Sequence, residues 1–293
     1  MTMGVPAPFS RVAVLGTGLI GGSFALAVRQ HFPEVEIAGW DRAEVLEQAR
    51  ARGAITQGST ELTAVLRGAE LVYLALPVGM ILEMLPAVAR GVEPAALVTD
   101  AGSTKAAILR LARAVFRKEA HTPYFVGGHP LAGKETSGIA HADPELFRGA
   151  KYALIGSGEN IDERVARLLR LLETLGAVPV WMDAETHDWA VAIISHLPQM
   201  AAVALARVVA DETDETGLPL SLAGRGLREA LRLAGSPYEI WRDIALTNTD
   251  NLARALDRLA QAVDHLRTRL ATHELREEFE AANEVYKILR QFE

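Results

Sequence analysis

Three stretches of the 293-residue chain combine residue types that can do chemistry. The first is Gly127-Gly128-His129-Pro130-Leu131-Ala132-Gly133, with Glu135 just beyond. A histidine held between glycines and a proline is poorly suited to core packing and well suited to projecting an imidazole into a cleft. With an unperturbed pKa near ~6.5, the neutral ring accepts a proton from a hydroxyl around neutral pH. The second stretch is Gly16-Thr17-Gly18-Leu19-Ile20-Gly21, a G-x-G-x-x-G run. Gly16 permits a tight turn, Gly18 lets the backbone approach a pyrophosphate, and Gly21 allows close helix–strand packing. The helix opening at Leu19 and Ile20 offers N–H donors and partial positive charge to phosphates. The third is Asp100-Ala101-Gly102-Ser103-Thr104-Lys105, whose Asp100 is placed with the cofactor contacts.

These stretches need elements to hold them. Arg11 to Leu15, Glu36 to Trp40, Leu71 to Leu76, Ala96 to Thr99, Tyr124 to Val126, Tyr152 to Ile155 and Val178 to Trp181 read as strands. Ala43 to Arg52, Lys105 to Arg117 and Glu163 to Leu175, among others, carry helical periodicity. Strands alternating with helices predict βαβ units, hence an α/β fold with a Rossmann-type, doubly wound parallel sheet. The glycine run follows the first strand and opens a helix, which selects the dinucleotide reading over a plain structural turn. Asp41 lies twenty residues after Gly21, at the end of the second strand. Its carboxylate can accept from adenosine ribose hydroxyls and would repel a 2′-phosphate, favouring NAD. The neighbouring Arg42 would welcome that phosphate, so NADP stays open. The other two stretches also fall at strand ends, where open α/β sheets bind ligands.

After about Met182 the pattern turns helical, broken at Gly217-Leu218-Pro219 and Gly235-Ser236-Pro237. The expected division is residues 1–181 for dinucleotide binding and 182–293 for an all-helical substrate and dimerisation domain. Leu252, Leu256, Leu259, Val263, Leu266 and Leu270 alternate spacings of four and three, a heptad seam. Such a seam packs either inside one subunit or between two copies in a homodimer.

Composition narrows the class. A net charge of -7 argues against a nucleic-acid partner, which calls for a basic face. Zero cysteines rule out disulfides and thiolate metal sites and agree with a cytoplasmic setting. Met1 to Ser10 lacks the form of a secretion signal. Leu71 to Ala89, the longest oily stretch, contains Glu83, Pro77 and Pro86 and reads as strand, turn and helix, so no membrane partner is expected. No metal-ligand spacing emerges, and His31, His121, His141, His187, His265 and His273 show no constellation.

The run Gly16 to Ser23, the Asp100 to Lys105 loop, GGHPLAGKE from Gly127 to Glu135, and Ser195-His196-Leu197-Pro198 resemble the prephenate/arogenate dehydrogenase family. So do Leu231-Arg232-Leu233-Ala234 and Ile240-Trp241-Arg242-Asp243-Ile244. The resemblance runs in order along nearly the whole chain, and GGHP-x-AG is its most specific element. It implies oxidative decarboxylation of prephenate to 4-hydroxyphenylpyruvate, with a ring-carbon hydride passing to NAD in tyrosine biosynthesis. It implies that His129 assists deprotonation of the substrate ring hydroxyl, that Ser103 orients His129 and the nicotinamide, and that Arg232 holds a substrate carboxylate. His196, Glu135 and Trp241 match residues that shape the pocket. Plainer roles exist: Ser103 can cap the following helix, Arg232 can pair with an acidic neighbour, and His196 can be a satisfied core histidine. One position departs from the pattern. Prephenate-using relatives commonly carry His-Leu-Pro-His, and here the last place is Gln199. Gln199 lies near the substrate side chain by this resemblance, which leaves arogenate as an alternative substrate. No appended regulatory domain and no fused mutase domain are expected. Two other readings share the layout: a β-hydroxyacid-type dehydrogenase, which would lean on a lysine or aspartate of the helical part, and a dinucleotide-sensing protein, which would have no use for His129, Ser103 and Arg232 together.

Overall fold

The computed structural model describes residues 6–116, 122–134, 136–159, 161–213, 215–272 and 274–292. Six strands form an all-parallel sheet: β1 Arg11–Leu15, β2 Glu36–Trp40, β3 Gln57–Ser59, β4 Leu71–Leu74, β5 Leu97–Asp100 and β6 Tyr124–Val126. Their spatial order is β3-β2-β1-β4-β5-β6, the doubly wound arrangement in which the chain reverses direction between β1 and β4. A second sheet of β7 Gly128–Pro130, β8 Lys151–Ile155 and β9 Val178–Met182 pairs β7 antiparallel and β9 parallel to the central β8.

The apolar runs read as strands are continuous because both sheet faces are buried. Val12, Val14, Leu71 and Tyr73 point to one face, where Phe24 of helix α1 (Leu19–His31) stacks on Tyr73 at 4.0 Å between ring centroids. Ala13, Leu15, Val72, Leu74 and Val98 point to the other. That face is covered by α3 (Leu62–Leu66), α4 (Val78–Gly91) and α5 (Ala106–Val115), while α2 (Ala43–Ala51) and α6 (Glu163–Thr174) complete the helices of this half.

Two strands lie outside the runs that read as strands in the sequence. Gln57–Ser59 pairs with β2 as a strand although three polar or small residues carry no strand signal. The His129 segment is also a strand, not a free loop: Gly128, His129 and Pro130 pair with Leu154, Ala153 and Tyr152. The expected helix from Lys105 begins at Ala106, and Arg117 lies outside the described residues.

Beyond β9 the described chain is helical. Helix α7 (Ala184–Val191), a π turn at Ala192–His196 and α8 (Leu197–Asp211) form one continuous rod. The π turn has a local cause: Pro198 has no N–H to give the Ile194 carbonyl, and Leu197 N–H reaches back to the Ala192 carbonyl. Short α9 (Leu218–Ser221), α10 (Arg225–Ala230) and a 3₁₀ turn at Arg232–Gly235 lead to α11 (Tyr238–Thr247), α12 (Thr249–Thr268) and α13 (Leu275–Leu289). The rod of residues 184–211 is 28 residues long and apolar enough to cross a membrane by length and composition, whereas Leu71 to Ala89 is divided between β4 and α4. Yet the same rod buries His187, Asp188, His196 and Gln199.

Two carboxylates from this helical part dock on helix N-termini at the carboxyl edge of the parallel sheet. Asp243 Oδ2 accepts from Gly79 N–H at the start of α4, 2.9 Å away. Asp188 accepts from Lys105 N–H at 2.7 Å and Ala106 N–H at 2.9 Å at the start of α5. Both anions meet amides that have no intrahelical acceptor, at the positive end of the helix dipole.

Candidate active site

The glycine run folds as its sequence requires. Gly16 has φ +89°, and a Cβ there would sit 2.3 Å from the Ala75 carbonyl oxygen. A Cβ on Gly21 would come within 1.9 Å of the Gly16 oxygen, so the turn and the helix start close on each other only with glycine at both places. Gly18, by contrast, faces open space: a Cβ there would meet no atom within 4 Å, and Gly18 caps α1 without any side-chain partner or first-turn acid. The open backbone at Gly18 and the uncapped amides at Leu19, Ile20 and Gly21 fit a dinucleotide pyrophosphate. Asp41 closes this cradle: its Oδ2 accepts from Thr17 N–H at 2.8 Å and from Thr17 Oγ1 at 3.2 Å, and Oδ1 from Arg42 N–H at 2.8 Å. The Arg42 side chain is exposed beside it.

Asp100 ends β5. It is fully buried, and its oxygens accept from Gly102 N–H at 2.9 Å, Gly128 N–H at 3.2 Å and the buried Lys105 ammonium. Lys105 Nζ also donates to the Gly128 carbonyl at 2.7 Å. Asp100, which the sequence places with the cofactor contacts, has both oxygens engaged and braces the Ser103 loop against β7. Gly128 is needed for this approach, since a Cβ would lie 2.7 Å from the Asp100 carbonyl oxygen. Burial lowers the Lys105 pKa, and Asp100 and then Asp188 oppose that shift. Ser103 is half-buried and its hydroxyl makes no hydrogen bond among the described residues, so it does not cap α5; Asp188 does.

His129 is half-buried at the carboxyl edge of the sheet. Its Nδ1 lies 2.9 Å from His187 Nε2, and His187 Nδ1 lies 2.8 Å from Asp188 Oδ1. The two rings meet edge to face at 5.1 Å. Burial pushes the His129 pKa well below the ordinary histidine range, with His187, Lys105 and His196 adding to it. The imidazole is therefore neutral at neutral pH and able to accept a proton. The sequence reading missed His187, which was placed outside any constellation, and missed Asp188 and Asn248 altogether. The one signal that could have found them was the adjacency of His187 and Asp188, which does not by itself say what lies opposite.

His196 is buried; its Nδ1 faces Asn248 Nδ2 at 3.3 Å and its ring meets Trp241 edge to face at 5.8 Å. Asn248 also donates to the Asp188 carbonyl at 2.7 Å, which joins His196 to the His129 chain. Three residues further on, buried Gln199 donates to the Leu233 carbonyl at 2.9 Å. Its Oε1 has no hydrogen-bond partner. Arg232 is exposed in the 3₁₀ turn next to Leu233. The structure thus gathers His129, His196, Gln199 and Trp241 around the junction of β7, the π turn and α11. Glu135 lies outside the described residues.

Comparison with known proteins agrees with this architecture. Residues 24–181 match the family model "Prephenate dehydrogenase, nucleotide-binding domain", and residues 183–288 match "Prephenate dehydrogenase, dimerization domain". The first match begins after the glycine run, so that cradle stands on its own geometry. The chain is similar to the prephenate dehydrogenase of Bacillus subtilis (strain 168), 35% identical over 261 residues, covering 88% of this chain and 69% of that one. Among solved structures it resembles prephenate dehydrogenase from A. aeolicus in complex with hydroxyphenyl propionate and NAD+, with TM-score 0.82, 27% identity and 99% of each chain covered. It also resembles Synechocystis arogenate dehydrogenase, with TM-score 0.77, 30% identity, 97% of this chain and 100% of that one.

Proposed function

The chain belongs to the prephenate dehydrogenase family, and on that premise we propose that it oxidatively decarboxylates prephenate to 4-hydroxyphenylpyruvate with NAD, on the way to tyrosine. The observation that carries the reading is His129: a neutral imidazole on β7, at the carboxyl edge of the parallel sheet, with one nitrogen tied down by His187. We assign it the role of accepting the proton of the substrate ring hydroxyl at Nε2. The bound nicotinamide supplies the hydride acceptor. Gly16, Gly18, Leu19, Ile20 and Gly21 hold the pyrophosphate, and Asp41 binds the adenosine ribose. Ser103 has a free hydroxyl to orient His129 and the nicotinamide, and Arg232 takes a substrate carboxylate, a task suited to a planar guanidinium. Protein chemistry here consists of alignment and electrostatics, because the departing carbon dioxide and the aromatic product drive the reaction. Glu135 belongs to the same assignment.

The test is NAD reduction with prephenate. His129→Asn should leave NAD affinity unchanged and lower kcat about a hundredfold or more, the usual scale for a positioned acid–base group. A variant with near-normal kcat overturns the role of His129, and a wild-type enzyme inert toward prephenate overturns the substrate.

A second substrate is favoured by one observation, the buried Gln199 Oε1 without a partner. The amide orientation is fixed, since the Leu233 carbonyl can only accept. The group of Gln199 without any partner is an acceptor, Oε1, which suits the ammonium of arogenate; a partly charged histidine at this place would repel it. Measurable arogenate turnover should accompany prephenate turnover, and Gln199→His should shift the ratio of kcat/KM values toward prephenate, about tenfold if the contact is buried. An unchanged ratio places the discriminating contact elsewhere.

We further propose that residues 1–181 serve the nucleotide and 182–293 the substrate and pairing. The active form is a cytoplasmic homodimer joined through the helical part, with neither a membrane nor nucleic acid as partner. The apolar rod of residues 184–211 then faces a second copy of the chain.

A further inference from the structure

Asp188, His187 and His129 form a chain of hydrogen bonds whose directions are set at one end. Asp188 is buried, and three N–H groups point at its oxygens: Lys105 N–H and His187 Nδ1 at Oδ1, Ala106 N–H at Oδ2. A carboxylate only accepts, so the proton shared with His187 sits on His187 Nδ1. In a neutral His187 ring the other nitrogen, Nε2, is then an acceptor. The 2.9 Å partner of that acceptor is His129 Nδ1, which must donate. His129 is left with its proton on Nδ1 and its lone pair on Nε2.

Resting on the reading of His129 as the proton acceptor, we infer that His187 and Asp188 are positioning residues that hold His129 in the tautomer with a bare Nε2. Without them the two His129 tautomers would compete, and one of the two presents an N–H where a lone pair is needed. The same bonds hold after His129 takes the substrate proton, because Nδ1–H still points at His187. They also fix the ring plane, with His187 packed edge to face on it. Asp188 has a second task that explains its location: it caps α5, the helix that follows the Ser103 loop. One carboxylate thereby ties the orientation of His129 to the position of the loop that carries Ser103. The wrong tautomer disables a base even when geometry is intact, as known serine-protease variants with the orienting carboxylate replaced by an amide demonstrate.

The tautomer can be read directly in the wild-type protein by long-range ¹H–¹⁵N spectra of ¹⁵N-histidine-labelled full-length chain near neutral pH. Signals are assigned by their loss in His129→Asn and His187→Phe. Both rings should carry the proton on Nδ1 with a bare Nε2; a proton on His129 Nε2, or a doubly protonated His187, overturns the inference. Kinetically, His187→Phe keeps a ring and removes both nitrogens. It should lower kcat about tenfold or more, leaving the prephenate KM and NAD affinity within about threefold. His187→Gln, which can accept and donate through one amide, should recover part of the loss. The double variant His129→Asn/His187→Phe should be no slower than His129→Asn alone, since the two residues act as a unit. Wild-type kcat in His187→Phe while His129→Asn is impaired defeats the positioning role and spares the base; wild-type kcat in His129→Asn defeats the base itself.

Discussion

Burial acts on the imidazoles of His129 and His196 in the same direction. His196 is pushed down to about 4, chiefly by burial, with His187 adding to the effect and Asp188 opposing it. Its folded-state value lies below that of an unfolded histidine, so between about pH 6.5 and 4 the unfolded chain binds more protons than the folded one. The stability this neutral ring allows is fully present above about pH 6.5 and is lost as pH falls toward 4, to the extent of at most about 3 kcal/mol. His129, lowered for similar reasons, adds to the same acid slope. Denaturant midpoints followed from pH 7 to 4 should therefore fall in the wild type and fall less steeply in His196→Asn; equal slopes would mean that His196 is not a source of the acid sensitivity. At this scale the sequence was informative where a residue carries its own context. His129 between glycines and a proline announced itself. His187 did not, because a histidine inside an amphipathic helix looks the same whether it faces solvent, core or a second histidine. Asp100 shows the opposite limit: an acid at a strand end looks like a ligand contact, and only the structure brings three donors onto its oxygens.

Elements were legible in proportion to their length and periodicity. Strands β1, β2 and β6 fall where apolar and β-branched runs predict them, and β4, β5, β8 and β9 match within two residues at each end. Strands β3 and β7, three residues each, are held by pairing partners alone, which no local pattern encodes. The π turn was equally invisible, although Pro198 gave its cause. What no element-by-element reading could supply is the docking of helix on helix end. Asp243 and Asp188 fasten the helical part to the amides that open α4 and α5, and Gly79 lacks the Cβ that would meet the Asp243 carboxylate at 2.6 Å. Asp243→Ala should therefore cost about 0.5–2 kcal/mol, the range of a lost N-cap, and raise amide exchange at Gly79 above that of neighbouring helix positions. Asp243→Asn keeps an acceptor and should lose less. Unchanged exchange at Gly79 in the alanine variant would show that the contact does not hold α4.

For the whole molecule, the apolar core and the apolar surface lie in different halves. Among the described residues, the buried clusters on the two sheet faces extend no further along the chain than Ala177. The helical half exposes Val208 at 57%, Val263 at 56%, Leu270 at 70% and Phe279 at 67%. Of the heptad seam only Leu252 is buried in the single chain, so packing within one subunit does not account for the repeat. An amphipathic helix gains most of its stability by burying its apolar face, and exposed apolar surface on this scale marks an interface. A membrane would cover it too, but the family model for residues 183–288 is described as a dimerization domain, and the rod with a span's length turns its polar residues into the site. The two occupants differ in what a charge would do. Val263 is solvent-facing within one subunit, so Val263→Glu leaves the monomer fold intact and damages only the pairing of copies, where a buried unpaired charge is costly. At micromolar concentration in detergent-free buffer the wild type should sediment as a dimer. Val263→Glu should shift toward monomer with unchanged far-ultraviolet circular dichroism and a lower Tm, because an obligate pair draws stability from association. A wild type that sediments as a monomer without detergent removes the dimer from this account.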